Sequence, residues 1–125
     1  MAKLNPEKAE VIWELQQRLL EIIDTARTLE LSLFEAFGET DDTVPFLDEL
    51  QSIAEQAIER FSLFSTLQIR VANAQPPIPS DILEIVDRSI QTTQQKIPAL
   101  NRSIQEITQE WKLSWKHNQW CPIQS

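Results

Sequence analysis

Residues 5–37 read NPEKAEVIWELQQRLLEIIDTARTLELSLFEAF, and this stretch decides the fold. Apolar residues recur along it at alternating intervals of three and four, the repeat of a helix that packs lengthwise against neighbouring helices. The stripe consists of Ile12, Leu15, Leu19, Ile22, Ala26, Leu29, Leu33 and Ala36. Asn5 suits the N-cap, Pro6 the first helical position, and Gly38 the position that follows a helix end. We therefore predict one long helix over residues 6–37.

The rest of the chain predicts two more helices of similar length, over residues 44–73 and 81–116. The stripe of the second helix is Leu47, Leu50, Ala54, Ala57, Phe61, Phe64 and Val71, with a lapse at Gln68. The stripe of the third is Leu83, Val86, Ile90, Thr93, Ile97, Leu100, Ile104, Ile107 and Trp111. Because short connectors make neighbouring helices antiparallel, the sequence predicts an all-α, up-down-up bundle of three long helices. We expect a single domain over residues 1–125, with residues 117–125 as a C-terminal tail.

Pro98 lies inside the third predicted helix. Proline lacks the backbone amide and clashes with the carbonyl four residues earlier, so it kinks or breaks a helix. The apolar stripe keeps its phase on both sides of Pro98, which favours one kinked helix. A break at this position would instead give a bundle of four helices.

Composition and charge exclude several classes of protein. The chain carries a net charge of −8, and its eleven lysine and arginine residues are scattered, which argues against binding nucleic acid or an anionic membrane surface. No stretch approaches the roughly 20 apolar residues of a membrane span. The start lacks the apolar core of a signal peptide, and one cysteine cannot form an intramolecular disulfide. We therefore expect a cytoplasmic protein.

The residues that usually carry chemistry are sparse. His117 and Cys121 are the single histidine and cysteine, too few for a zinc site or for the paired motifs of a di-iron bundle. The acidic segment GETDDT lacks calcium-loop spacing, and no glycine-rich loop suggests phosphate binding. We expect no enzymatic activity, no metal and no cofactor. A cofactor-binding bundle with His117 or Cys121 as ligand is a less well supported alternative.

The first helix carries more apolar surface than a three-helix bundle needs, which is roughly three positions in seven. The surplus residues lie on one flank of its stripe: Trp13, Leu20, Ile23, Phe34 and Phe37. They either pack inside the monomer beneath a kinked third helix, or form a second interface, most simply between copies of the chain.

The predicted topology brings the C-terminal tryptophans to the connector between the first two helices. There we expect an aromatic cluster of Phe34, Phe37, Phe46, Trp111 and Trp115. Trp115 and Trp120 are also interface candidates, and Trp120, which lies beyond the predicted helix end, is the best anchor for a partner because tryptophan is enriched at binding hot spots.

Carboxylates crowd this same end of the bundle, over residues 35–49, which we call the acidic pole. Its candidate contact residues are Glu39, Asp41, Asp42, Asp48 and Glu49, with Glu35 beside them. Lys112, Lys116 and His117 are expected to return toward it.

Together these features favour a non-enzymatic interaction module: a small acidic helical subunit, adaptor or assembly factor that self-associates. The alternative is a soluble inhibitor or regulator that binds a basic protein partner through the acidic pole.

Overall fold

The computed structural model describes residues 3–112. They form three α-helices, α1 (Pro6–Phe37), α2 (Val44–Asn73) and α3 (Ser80–Trp111), and this part of the chain contains no strand. Gln16, near the start of α1, is hydrogen-bonded to Gln68, near the end of α2, so these two helices are antiparallel. Lys8 Nζ lies 2.7 Å from Asp87 Oδ1, which pairs the beginnings of α1 and α3. The predicted up-down-up bundle is confirmed.

Both ends of α1 have the predicted chemistry. Asn5 Oδ1 accepts a hydrogen bond of 2.7 Å from the Glu7 amide, and Pro6 begins the helix. Gly38 has a φ of 73°, in the range that favours glycine, and its amide donates to the Phe34 carbonyl at 2.7 Å. The backbone conformation of Gly38 therefore ends the helix at Phe37.

The reversal between α1 and α2 is held by the side chain of Thr43, which is only 1% exposed. Its hydroxyl donates to the Gly38 carbonyl at 2.8 Å and accepts from the Thr40 amide at 2.8 Å. Thr43 itself has helical backbone angles, and its side chain caps no amide of α2. This hydroxyl links the two ends of the turn.

The third helix runs unbroken through Pro98, so no fourth helix forms within the described residues. Pro98 and Gln94, whose carbonyl loses its usual amide partner, both lie on the exposed side of α3. The helix ends at Trp111, five residues before the predicted end, because Lys112 adopts the left-handed conformation with a φ of 54°. Residues 113–116 lie outside the described part of the chain.

The core follows the predicted stripes along the bundle axis. Every residue of the α1 stripe is buried except Ala36, which lies in the last turn. In α2 the buried side is rotated away from the predicted stripe. Ile53 and Leu67, beside the stripe, are buried, whereas the stripe residues Leu47 and Phe61 are half-buried. This rotation lets α2 pack against α3 as well as α1.

Gln68 interrupts the predicted stripe of α2 and Thr93 that of α3, and each is hydrogen-bonded to a residue on another helix. Gln16 Nε2 donates to Gln68 Oε1 at 3.1 Å, and Gln68 Nε2 returns a hydrogen bond of 3.4 Å. Thr93 is fully buried and accepts at Oγ1 from Arg60 Nε at 3.1 Å. Arg60 also donates to the Ser89 carbonyl at 3.2 Å. Because an unpaired buried polar group costs about 1–3 kcal/mol, these pairs oppose any slip in helix register.

We predict that Thr43→Val lowers the free energy of unfolding by about 1–3 kcal/mol, since two part-buried hydrogen bonds, each contributing about 0.5–1.5 kcal/mol, are lost. Urea unfolding followed by circular dichroism measures this change. Thr66→Val, the same substitution at an exposed position of α2, is the control and should shift the free energy by less than about 0.5 kcal/mol. Equal stability of the two variants would contradict the role assigned to the hydroxyl.

Candidate interaction surface

The exposed large apolar side chains of residues 3–112 are unevenly distributed. They lie on α1 and α2, whereas every large apolar side chain of α3 is at least partly buried. The exposed set is Trp13, Leu20, Leu31, Phe34, Phe37, Val44, Ile58 and Ile69. Single exposed apolar residues are common in soluble proteins, whereas their concentration on one side of a bundle defines a candidate contact surface.

Trp13, Leu20 and Phe34 occupy one line along α1. Their spacings are multiples of seven, so they share one side of the helix. Phe34 lines a groove with Leu47 of α2. Helix α3 lies on the other side of α1, where Thr25 lines a second groove. The line of exposed residues therefore follows the seam with α2, away from α3.

The exposed residues of α2 face this same seam. Gln51 and Asp48 line the groove beside Phe34. Ile58 follows Gln51 by seven residues and Ile69 follows Asp48 by twenty-one, so both continue that side of α2. We call this surface the α1–α2 face: Trp13, Leu20, Leu31, Phe34, Ile58 and Ile69.

The structure divides the apolar flank predicted for α1. Trp13, Leu20 and Phe34 point outward, with 61%, 43% and 51% of their surface exposed. Ile23 is half-buried and packs against the core, and Phe37 is 38% exposed and contacts Trp111. Ile23 and Phe37 therefore pack within the monomer, as the first interpretation predicts, whereas the interface predicted for Trp13, Leu20 and Phe34 stays a prediction.

Three members of the α1–α2 face are not assigned to a site by the sequence pattern alone: Leu31, Ile58 and Ile69. Each lies outside the stripe of its helix, and an apolar residue at an otherwise polar position is the signal that points to them. Trp115 and Trp120 lie outside the described residues.

Trp111 caps one end of the core. Its ring centroid lies 5.0 Å from that of Phe37 and 5.4 Å from that of Phe46, in tilted and edge-to-face arrangements that aromatic rings favour. The aromatic cluster is therefore present with these three members. Phe34 is not part of it, because it lies on the groove between α1 and α2 and is half exposed. Trp111 Nε1 is buried, and no acceptor among residues 3–112 lies within hydrogen-bond distance.

The carboxylates of the acidic pole are all exposed. Within residues 3–112, none of them forms an ion pair. The ion pairs there are Lys8–Asp87, Arg18–Glu14, Arg27–Glu30 and Arg88–Glu84. Lys112 lies at the same end of the bundle, beside Trp111, without an ion pair to a described residue. Lys116 and His117 lie outside the described residues.

No group of three or more side chains suited to a metal ion occurs within residues 3–112. His117 and Cys121 lie beyond that range. None of the helices described there combines the length and apolar composition that crossing a membrane requires. No known protein family, curated protein or solved structure matches the chain.

We predict that two tryptophans of the bundle contribute unequally to the free energy of unfolding. Trp111→Ala removes a core cap and should lower the free energy of unfolding of the monomer by about 2–4 kcal/mol. Trp13→Ala removes a mostly exposed side chain and should change it by less than about 0.5 kcal/mol. Urea unfolding at a concentration where the chain is monomeric measures both. A destabilisation of equal size in the two variants would contradict the division into core cap and outer surface.

Proposed function

We propose that this chain is a non-enzymatic, cytoplasmic protein–protein interaction module, an acidic helical subunit, adaptor or assembly factor that self-associates through its α1–α2 face. The observation that supports this proposal is that, within residues 3–112, the exposed large apolar side chains are confined to α1 and α2. Packing of the monomer alone gives no reason for this asymmetry.

The size of the α1–α2 face suits a protein contact. Trp13 and Phe34 are twenty-one residues apart, or roughly 30 Å along the helix. Two adjacent helices are about 20 Å wide, which gives a footprint of roughly 600 Å². Specific interfaces begin at about this area per partner. Each large side chain that becomes fully buried contributes about 1.5–3 kcal/mol, so a few such residues are enough for a stable contact.

The side chains of the face also fit a binding surface. Trp13 is the type of residue most often found at hot spots. Leu31 and Phe34 border a groove of about 380 Å³, whose rim includes Glu30 and Glu39. The lining of the groove is mixed, since Leu31, Phe34 and Leu47 supply apolar surface among charged side chains, and protein interfaces combine both kinds of surface.

We predict a dimer or larger assembly for the unaltered chain when its mass is measured by light scattering. Trp13→Glu should weaken this association by at least about 30-fold, because a hot-spot contact is replaced by an unpaired charge. Circular dichroism should show unchanged helix content. Ala99→Glu places the same charge on an exposed position of α3 and is the matched control, with association unchanged. A monomeric wild-type chain at about 100 μM would sink the self-association proposal.

A second candidate function rests on the acidic pole. Its carboxylates are exposed and have no ion-pair partner within residues 3–112, so they are available to a basic protein. A soluble inhibitor or regulator could use such a surface, since complementary charge raises association rates.

We predict that neutralising the pole slows binding of a lysine-rich probe peptide by about tenfold or more at low salt, with a smaller effect at high salt. The substitutions are Glu39→Gln, Asp41→Asn, Asp42→Asn, Asp48→Asn and Glu49→Gln. Stopped-flow fluorescence at two salt concentrations measures the rate. The control carries the same charge change elsewhere, at Glu10, Glu21, Glu55, Glu59 and Glu106, each replaced by Gln. Equal slowing in both variants would show that net charge alone acts.

A further inference from the structure

We infer that a second copy of this chain docks antiparallel on the α1–α2 face, with a twofold axis that passes between the two copies of α1 at the level midway between Leu20 and Arg27. This inference rests on the proposed self-association and adds the partner's orientation and register. Two observations carry it: the charge asymmetry of the bundle, and the order of side chains along α1.

The two ends of the bundle differ in charge. The acidic pole occupies the end where α1 finishes and α2 begins. At the opposite end, the exposed cations Lys3 and Arg70 accompany the exposed carboxylates Glu7 and Glu10, so this end of the α1–α2 pair is close to neutral. A parallel pair would set one acidic pole beside the other. An antiparallel pair separates the poles by roughly 30 Å or more, several times the screening length of about 8 Å at physiological salt.

The same reversal gives each acidic pole a neighbour that is less acidic than a second pole. It brings the pole of one copy to the level of the end that carries Lys3 and Arg70 in the other copy. Charge therefore selects the antiparallel arrangement even though the net charge of the chain is −8.

The order of side chains along α1 is self-complementary. Trp13, Leu20, Arg27 and Phe34 follow one another at seven-residue intervals on one line of the helix. Under reversal about the midpoint, Trp13 faces the partner's Phe34, and Leu20 faces the partner's Arg27. Aromatic rings pair at both ends of the contact, as an isologous interface requires.

The charge of Arg27 disfavours a parallel pair along this line of α1. In a parallel pair Arg27 would face its own copy, so two guanidinium groups would meet. In the antiparallel pair Arg27 faces an apolar side chain and keeps its own partner, because its Nη1 lies 3.0 Å from Glu30 Oε1 on the same helix. Its aliphatic stem can then cover the partner's Leu20 while the charge stays hydrated.

The α2 side of the face follows the same symmetry. The hydrogen bond between Gln16 and Gln68 fixes the register of the seam. Ile69 therefore lies within about one helical turn of the level of Trp13. Reversal of the second copy brings this pair to the level of Leu31 and Phe34 of the partner, so the apolar contact at each end of the face is widest there.

The test replaces Leu20 by residues of opposite charge and measures the dissociation constant of the dimer. In the antiparallel pair, Leu20→Glu gains an opposite charge from the partner's Arg27, whereas Leu20→Lys meets a like charge. Leu20→Lys should therefore dissociate at least about tenfold more readily than Leu20→Glu. This order is opposite to what the negative net charge of the chain would produce. Equal affinities, or a tighter dimer with lysine, would overturn the inference.

Distances between spin labels give a second, independent readout. Asp24→Cys and Glu10→Cys are each made in a Cys121→Ser background, so that each labelled chain has one thiol. The antiparallel pair predicts labels below about 25 Å apart at position 24 and about 40 Å apart at position 10. Short distances at both positions indicate a parallel pair and overturn the arrangement alone. A monomer by light scattering overturns the proposed function as well, so the two failures are distinguishable.

Discussion

The buried hydroxyl of Thr43 is the interaction on which the rest of the bundle depends. It joins the carbonyl of Gly38, just beyond α1, to the amide of Thr40 in the turn into α2, and Gly38 supplies the positive φ that lets the chain leave α1. A reversal this short and this constrained leaves little choice about which sides of the two helices meet. Gln16 consequently reaches Gln68, and the line that begins with Trp13 is left facing outward.

Helix α3 is held by side-chain contacts with the other two helices. Its polar and apolar sides are cleanly separated, and it covers the side of α1 and α2 opposite their exposed face. The hydrogen bonds from Arg60 to Thr93 and Ser89 position it along α2, and Trp111 closes the end of the core against Phe37. The α1–α2 pair thus has one side covered by α3, while its other side carries the exposed apolar residues.

Local periodicity was enough to predict the three helices, most of their bounds and most of the core. The flank of α1 divides along the same repeat, since Ile23 and Phe37 share one heptad position beside the stripe, while Trp13, Leu20 and Phe34 share another that is farther from it. The role of Thr43 was beyond local periodicity, because the acceptor on Gly38 becomes available only after the chain has turned. The early end of α3 depends on the backbone of Lys112, a choice that an apolar stripe continuing to Trp111 does not encode.

Pro98 has a consequence for how the bundle unfolds. It removes one backbone hydrogen bond from the middle of α3, and the seam between α3 and α1 carries two open grooves, of about 410 and 360 Å³. Helix α1 packs far more extensively against α2 than against α3. Because α3 makes the least extensive contacts of the three helices, we expect local opening to begin with α3. Such opening would uncover the buried side of α1 and α2, which is the geometry from which exchange of a helix between copies starts.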